Sequence, residues 1–183
     1  MTSEASTHRL FFALWPDAGV RERLHSLAQA AHKVSGGRLI RPDHLHLTLV
    51  FLGNVAHAKT FQLEATAQQQ CRAGFSLEFG KTGYWRHNRI VWAAPISIPE
   101  PLRALVAALE RSLQHAGIQF DRQRKENEYV PHVTLIRDAR VPAALPMPKF
   151  VWRISDFALI ESARGAKGAE YQVLARWPLH ADQ

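Results

Sequence analysis

Cysteine is almost absent: Cys71 is the only one in 183 residues. A lone cysteine forms no internal disulfide, which excludes the disulfide-stapled domains and fits a reducing compartment. Nothing around Cys71 suggests a catalytic thiol. Long apolar runs are also missing, and no segment approaches the ~20 apolar residues a membrane-spanning helix needs. Residues 1–7 are polar, contain Glu4 and lack the basic and apolar regions of a signal peptide. They read as an extension ahead of one domain over 8–180, and a cytoplasmic location is the expectation. Acidic residues are in deficit, with 16 Asp and Glu against 23 Lys and Arg, giving a formal charge of +7 and a pI near 10.1. That excess favours an anionic partner, nucleic acid first, although a solvated basic surface has the same composition. At 46% hydrophobic and 21% charged the chain is otherwise ordinary for a globular protein. Its length suits one domain with a good core.

The local patterns mix strands and helices. Leu10–Leu14 is an apolar run bounded by Pro16, a first strand. Asp17 caps a helix whose apolar stripe is Val20, Leu24, Leu27, Ala28 and Ala31, stopped by Gly36-Gly37. Arg41-Pro42-Asp43 turns into a strand over about 44–52, which Gly53-Asn54 ends. A weaker helix covers 57–72, and strands follow at Phe75–Phe79 and Arg89–Ala94. Pro99 and Pro101 suit the first turn of a helix with Leu102, Leu105, Val106, Leu109 and Leu113 inside and Gly117 at its end. Ile118–Asp121 is a short strand, 122–128 a charged loop, and Pro131 leads into another strand. Pro142–Pro148 is a proline-rich connection. Phe150–Glu161 and Glu170–Trp177 are closing strands joined by a loop at 162–168. Strands and helices do not alternate as in a parallel βαβ array, so the expected class is α+β with antiparallel sheets. The order helix, strand, helix, strands, helix, strand hints at an internal duplication.

One tripeptide pattern occurs twice, about half the chain apart. His46-Leu47-Thr48-Leu49 and His132-Val133-Thr134-Leu135 both lie in apolar runs. On a strand, residues two apart share a face, so each copy presents an imidazole and a hydroxyl together, with leucine or valine behind. A single copy reads equally well as a buried histidine in an ordinary strand; two copies argue for chemistry. Cleaving a phosphodiester with water requires the water to lose a proton, the leaving oxygen to gain one, and the phosphoryl oxygens to find donors. Two histidines in opposite protonation states supply both proton roles near neutral pH without a metal. Two threonine hydroxyls would serve the phosphoryl oxygens.

These motifs resemble the two-histidine phosphoesterases, more closely the bacterial RNA 2′,3′-cyclic phosphodiesterases, also called 2′-5′ RNA ligases. The resemblance rests on His44–Gly53 and Pro131–Arg137, with support from Arg9–Leu14 and from Glu161-Ser162 through Tyr171 to Leu179. The 126–128 stretch and the N-terminal extension are less typical of it. It implies a bilobal fold of two antiparallel sheets related by a pseudo-two-fold. The helices would lie outside and the motif strands would face a groove between the lobes. It also implies hydrolysis of RNA 2′,3′-cyclic phosphate ends, those of tRNA fragments among them, to 2′-phosphomonoesters. His46 is then the proton donor and His132 the acceptor, an orientation the residues alone leave open. Thr48 and Thr134 carry over, and Arg137 is a phosphate contact able to make charge-assisted bonds. Phe51, Trp85 and Tyr129 are the further substrate contacts expected. No cofactor is implied, ligation is the same chemistry with an RNA 5′-hydroxyl replacing water, and a monomer is the default.

Two other readings stand beside this one. His44 and His46 share a strand face, and with His132 a three-histidine zinc site is conceivable. A non-catalytic RNA-binding module would use the net charge and the aromatics Tyr84, Trp85, Trp92 and Tyr129 for stacking. Tyr84-Trp85-Arg86-His87 would be its best substrate-facing loop, and Arg122, Arg124 and Lys125 its phosphate contacts.

Overall fold

The computed structural model describes residues 7–70, 73–121, 129–165 and 168–179. Cys71, Arg122, Arg124, Lys125 and the 126–128 stretch lie outside the described residues. Asp17 acts as expected: its Oδ1 accepts the Val20 N–H at 2.9 Å and starts α1 (Ala18–Ser35) after β1 (Thr7–Leu14). The predicted apolar stripe of α1 is the face it buries. The helix α3 (Glu100–His115) likewise buries its leucine stripe. It ends in a Schellman turn, with Gly117 at φ 64°, the Gly117 N–H on Gln114 O and the Ile118 N–H on Leu113 O.

The strands β2 (Arg38–Leu39), β3 (Leu47–Ala56), β4 (Phe75–Trp85), β5 (Ile90–Pro95), β6 (Val133–Arg137), β7 (Phe150–Ile154), β8 (Asp156–Gly165) and β9 (Gly168–Pro178) join β1 in a curled antiparallel sheet. Its order is β7-β4-β5-β6-β3-β1-β8-β9, with β2 on the side of β6. The two halves mirror each other. β1–α1–β3 in one corresponds to β5–α3–β6 in the other, and each motif strand pairs with the strand that precedes its helix. Where the halves meet, β3 and β6 share one residue pair, Leu47 with Val133. The expected two sheets are thus continuous through their motif strands. Each helix crosses over, α1 lying against β6 and α3 against β3.

Several boundaries differ from the sequence expectation, for local reasons. Gly53-Asn54 does not end β3. Gly53 takes φ 69° beside a register shift, and the strand continues to Ala56. His44 belongs to a 3-10 turn over Pro42–His44 rather than to the strand. The second helix is shorter, α2 being Thr60–Gln68. β4 runs on to Trp85, and Ile118–Asp121 contributes one bridge, Asp121 with Phe51. The predicted single strand 150–161 breaks at Ser155 into β7 and β8. The 162–168 loop tightens into the β8–β9 hairpin.

Candidate active site

The sheet has two unlike faces. Leu10, Phe12 and Leu14 of β1 pack with the helices in the main core, whereas Phe11 and Ala13 pack with Ala158 and Ile160 in a second cluster on the opposite face. Trp15, Phe51 and Tyr171 lie against that second cluster, and His46 sits among them. Its ring stacks on Trp15 at 5.5 Å and 11°, approaches Phe11 at 4.9 Å and meets Tyr171 edge-on at 5.4 Å. His132 stands across the β3–β6 junction with its ring 4.6 Å from Trp85, also edge-on, and Trp85 leans on Trp92 at 5.5 Å.

Both histidines lie one residue ahead of their strands and are held by the same device. His46 Nδ1 donates to the carbonyl of His44 at 2.7 Å, and His132 Nδ1 donates to the carbonyl of Val130 at 2.9 Å. A carbonyl only accepts, so each Nδ1 carries a proton and each neutral ring keeps its lone pair on Nε2. Burial among aromatics pushes His46 down to about 4; the charges of His132 and Arg137 push the same way, and the bond to His44 opposes them. His132 is also lowered, by burial first and then by Arg137, against the bond to Val130. Arg137 therefore bears on both rings.

The two strands share a second detail. A register shift interrupts the pairing of β3 between Phe12 and Ala13, where Leu49 is the extra residue. The pairing of β6 shifts between Val91 and Trp92, where Leu135 is the extra residue. In both strands the residue after Thr is buried, so is the next, and the third turns outward. The bulge therefore brings Phe51 and Arg137 onto the face of the histidines. Strict alternation would have put both in the core. Arg9 extends over the Phe51 ring at 5.0 Å. Thr48 and Thr134 are half-buried, and among the described residues neither hydroxyl has a hydrogen-bond partner.

The remaining expected residues divide. Trp85 faces His132. Tyr129 spans the two motifs, its hydroxyl donating to the Thr48 carbonyl at 2.9 Å. Tyr84 turns away from the face of the histidines, packs on the main core and donates to the Ala139 carbonyl at 3.1 Å, so Tyr84–His87 is not a substrate-facing loop as a whole. Trp92 covers Gly83, where a Cβ would come within 2.1 Å of its ring. Among the described residues no three His, Cys, Asp or Glu side chains come together as a metal-holding set. His44 turns instead to Tyr171, at 4.6 Å between rings, and to Asp43. Sequence reading missed Phe11, Trp15 and Tyr171, which enclose His46. The aromatic residues of Arg9–Trp15 and the Glu170-Tyr171 pair were visible, but their meeting depends on the β1–β3 and β8–β9 pairings.

A pair of imidazoles accompanied by two hydroxyls and a guanidinium is the arrangement expected of the two-histidine class of phosphoesterases. Residues 16–166 match the model of the 2′-5′ RNA ligase superfamily, and the chain belongs to that family. The RNA 2′,3′-cyclic phosphodiesterase of Escherichia coli strain K12 is 32% identical over 173 residues, covering 93% of this chain and 96% of that one. The crystal structure of E. coli LigT in its apo form superposes with a TM-score of 0.83 at 32% identity, over 94% of this chain and 98% of LigT. LigT complexed with 3′-AMP gives 0.81 at the same identity and coverage.

Proposed function

We propose that the protein hydrolyses RNA 2′,3′-cyclic phosphate ends to 2′-phosphomonoesters with His46 and His132 as its acid-base pair. The observation that carries this reading is the matched holding of the two rings, Nδ1 on the carbonyl two residues back. It leaves two Nε2 atoms for one substrate. His132 Nε2 takes a proton from water as its oxygen attacks phosphorus. The bond from phosphorus to O3′ breaks, and His46 Nε2 gives its proton to O3′. The product carries a 2′-phosphate and a free 3′-hydroxyl, and exchange with solvent removes the proton from His132 and returns one to His46. The negative charge of a bound phosphodiester raises the proton affinity of His46, which burial lowers in the free protein.

Thr48 and Thr134 donate to the phosphoryl oxygens, and Arg137 neutralises their charge. Phe51, Trp85 and Tyr129 bound the space the terminal nucleotide occupies. The names of the relatives, the charge of +7 and the complex of LigT with 3′-AMP support an RNA end as substrate, with tRNA fragments among the candidates. We take the protein to act in the cytoplasm as a monomer. With an RNA 5′-hydroxyl attacking phosphorus in place of water, and O3′ leaving as before, the same site forms a 2′-5′ linkage.

The test is the product. A short RNA ending in a 2′,3′-cyclic phosphate, incubated with the protein in EDTA, is expected to yield the 2′-phosphate alone. A 3′-phosphate would reverse the leaving oxygen, and activity seen only after zinc is added would replace the two-histidine mechanism.

A further inference from the structure

The face that carries His46 continues past Trp15 into a recess of about 220 Å³. Its walls include Trp15, Arg21, Trp152, Arg153, Asp156 and Arg176. Trp15 is thus shared, stacked on His46 and also lining the recess. Strand register places Asp156 and Arg176 on the same face of the sheet, while Trp152 and Ile154 reach the recess from the main core. Arg176 pairs with Ala158, and Ala158 packs with Phe11 beside His46; Asp156 lies two residues from Ala158 on the same strand.

The charges in the recess are unevenly spent. Arg176 Nη1 donates to Asp156 Oδ1 at 3.0 Å, and Asp17, also in the wall, is occupied by the Val20 N–H. Arg21 gives Nη2 to the Pro16 carbonyl at 3.0 Å, but its Nε is buried and has no hydrogen-bond partner. Among the described residues Arg153 has neither a hydrogen bond nor an ion pair. Arg153, with its donors unused, stands with Arg21 and Arg176 in a recess that Trp15 borders, a set that fits an anion with several oxygens carried on a chain that also stacks.

We infer that this recess binds the internucleotide phosphate on the 5′ side of the terminal nucleotide, so that the protein recognises an RNA chain and not only its last nucleotide. The inference rests on the reading that His46 protonates O3′. That places the terminal ribose on the β1 side of the histidine pair, and the chain leading into it runs past Trp15. Arg21 and Arg153 hold the upstream phosphate, and Arg176 adds its charge from beside Asp156.

The experiment compares kcat/KM for a mononucleoside 2′,3′-cyclic phosphate with that for a trinucleotide ending in the same nucleotide, across a series of salt concentrations. Wild type is expected to prefer the trinucleotide by about tenfold or more at low salt, and the preference shrinks as salt rises. Arg153→Ala should lose about tenfold of that preference and lower its salt slope by about one, while Arg153→Lys keeps most of both. Equal use of the two substrates by wild type at every salt concentration overturns the inference. So does an Arg153→Ala variant that slows both substrates equally, or an Arg153→Lys variant no better than Ala. If wild type hydrolyses neither substrate, the cyclic phosphodiesterase reading fails first and this one with it.

Discussion

His46 and His132 are the same group held in two different surroundings. Both rings are held by a backbone carbonyl, but His46 is enclosed by three aromatic side chains and His132 mainly by Trp85. Burial lowers both, His46 to about 4. The proposed mechanism needs one proton over the pair in the free protein, and two coupled groups titrate in two macroscopic steps. Both steps then lie below the ordinary histidine value of about 6.5. The expected kcat/KM profile is a bell centred below pH 6.5, falling about tenfold per pH unit on its alkaline side. The phosphate of a bound substrate raises both groups, so the kcat bell sits at higher pH. Arg137 depresses both rings. Arg137→Gln should therefore move the alkaline limb of kcat/KM upward while lowering its height. A limb that stays in place in Arg137→Gln, or a wild-type limb above about pH 8, would contradict this account.

At the scale of elements, the site depends on two bulged strands and on the short strand that supports one of them. β2 pairs Arg38 with Arg137 and Leu39 with Ile136, at the end of β6 that carries the guanidinium. Gly37 precedes it at φ 88°, and a Cβ there would stand 2.6 Å from the Arg137 carbonyl and 2.9 Å from the Ala139 Cα. Those neighbours are backbone and cannot swing aside. Gly37→Ala is expected to destabilise the fold by more than about 1 kcal/mol and to lower kcat/KM as well, by shifting Arg137. Gly117 also has a positive φ, 64°, but no atom lies within 4 Å of its added Cβ. Gly117→Ala should cost about 1 kcal/mol in denaturant titration and leave kcat/KM near wild type. Equal effects of the two on activity would refute the supporting role given to β2.

The same elements show what the sequence could and could not disclose. Asp17, the α1 and α3 stripes and the two His-x-Thr pairs were legible because capping and periodicity are local signals. The bulges were not, since a period of two assigns Arg137 to the face of Val133 and Leu135. The doubled apolar residues Leu49-Val50 and Leu135-Ile136 were their only trace. The enclosure of His46 was hidden for another reason. Trp15, just past β1, and Tyr171 of β9 reach it through pairings between residues distant in the chain.

For the whole molecule, the two halves are alike in order yet tied together. α1 lies against β6, α3 lies against β3, and Tyr129 bonds to the backbone of Thr48. The meeting of β3 and β6 sets the two motif histidines on either side of one junction. In the proposed mechanism each half then supplies one imidazole of the acid-base pair. The positive excess of the chain adds long-range attraction for a polyanion, which acts on encounter rather than on the chemical step.

The central claim is that His46 and His132 act as a pair, and single-turnover hydrolysis of a cyclic-phosphate RNA in EDTA tests it most directly. The proteins compared are wild type, His46→Ala, His132→Ala and the double variant. Each single variant is expected to lose about a hundredfold to ten-thousandfold in rate. The double variant should be little slower than either single one, because residues that act as a unit are not additive in their effects. A single variant that keeps its rate within about tenfold of wild type, or losses that multiply in the double variant, would contradict the account.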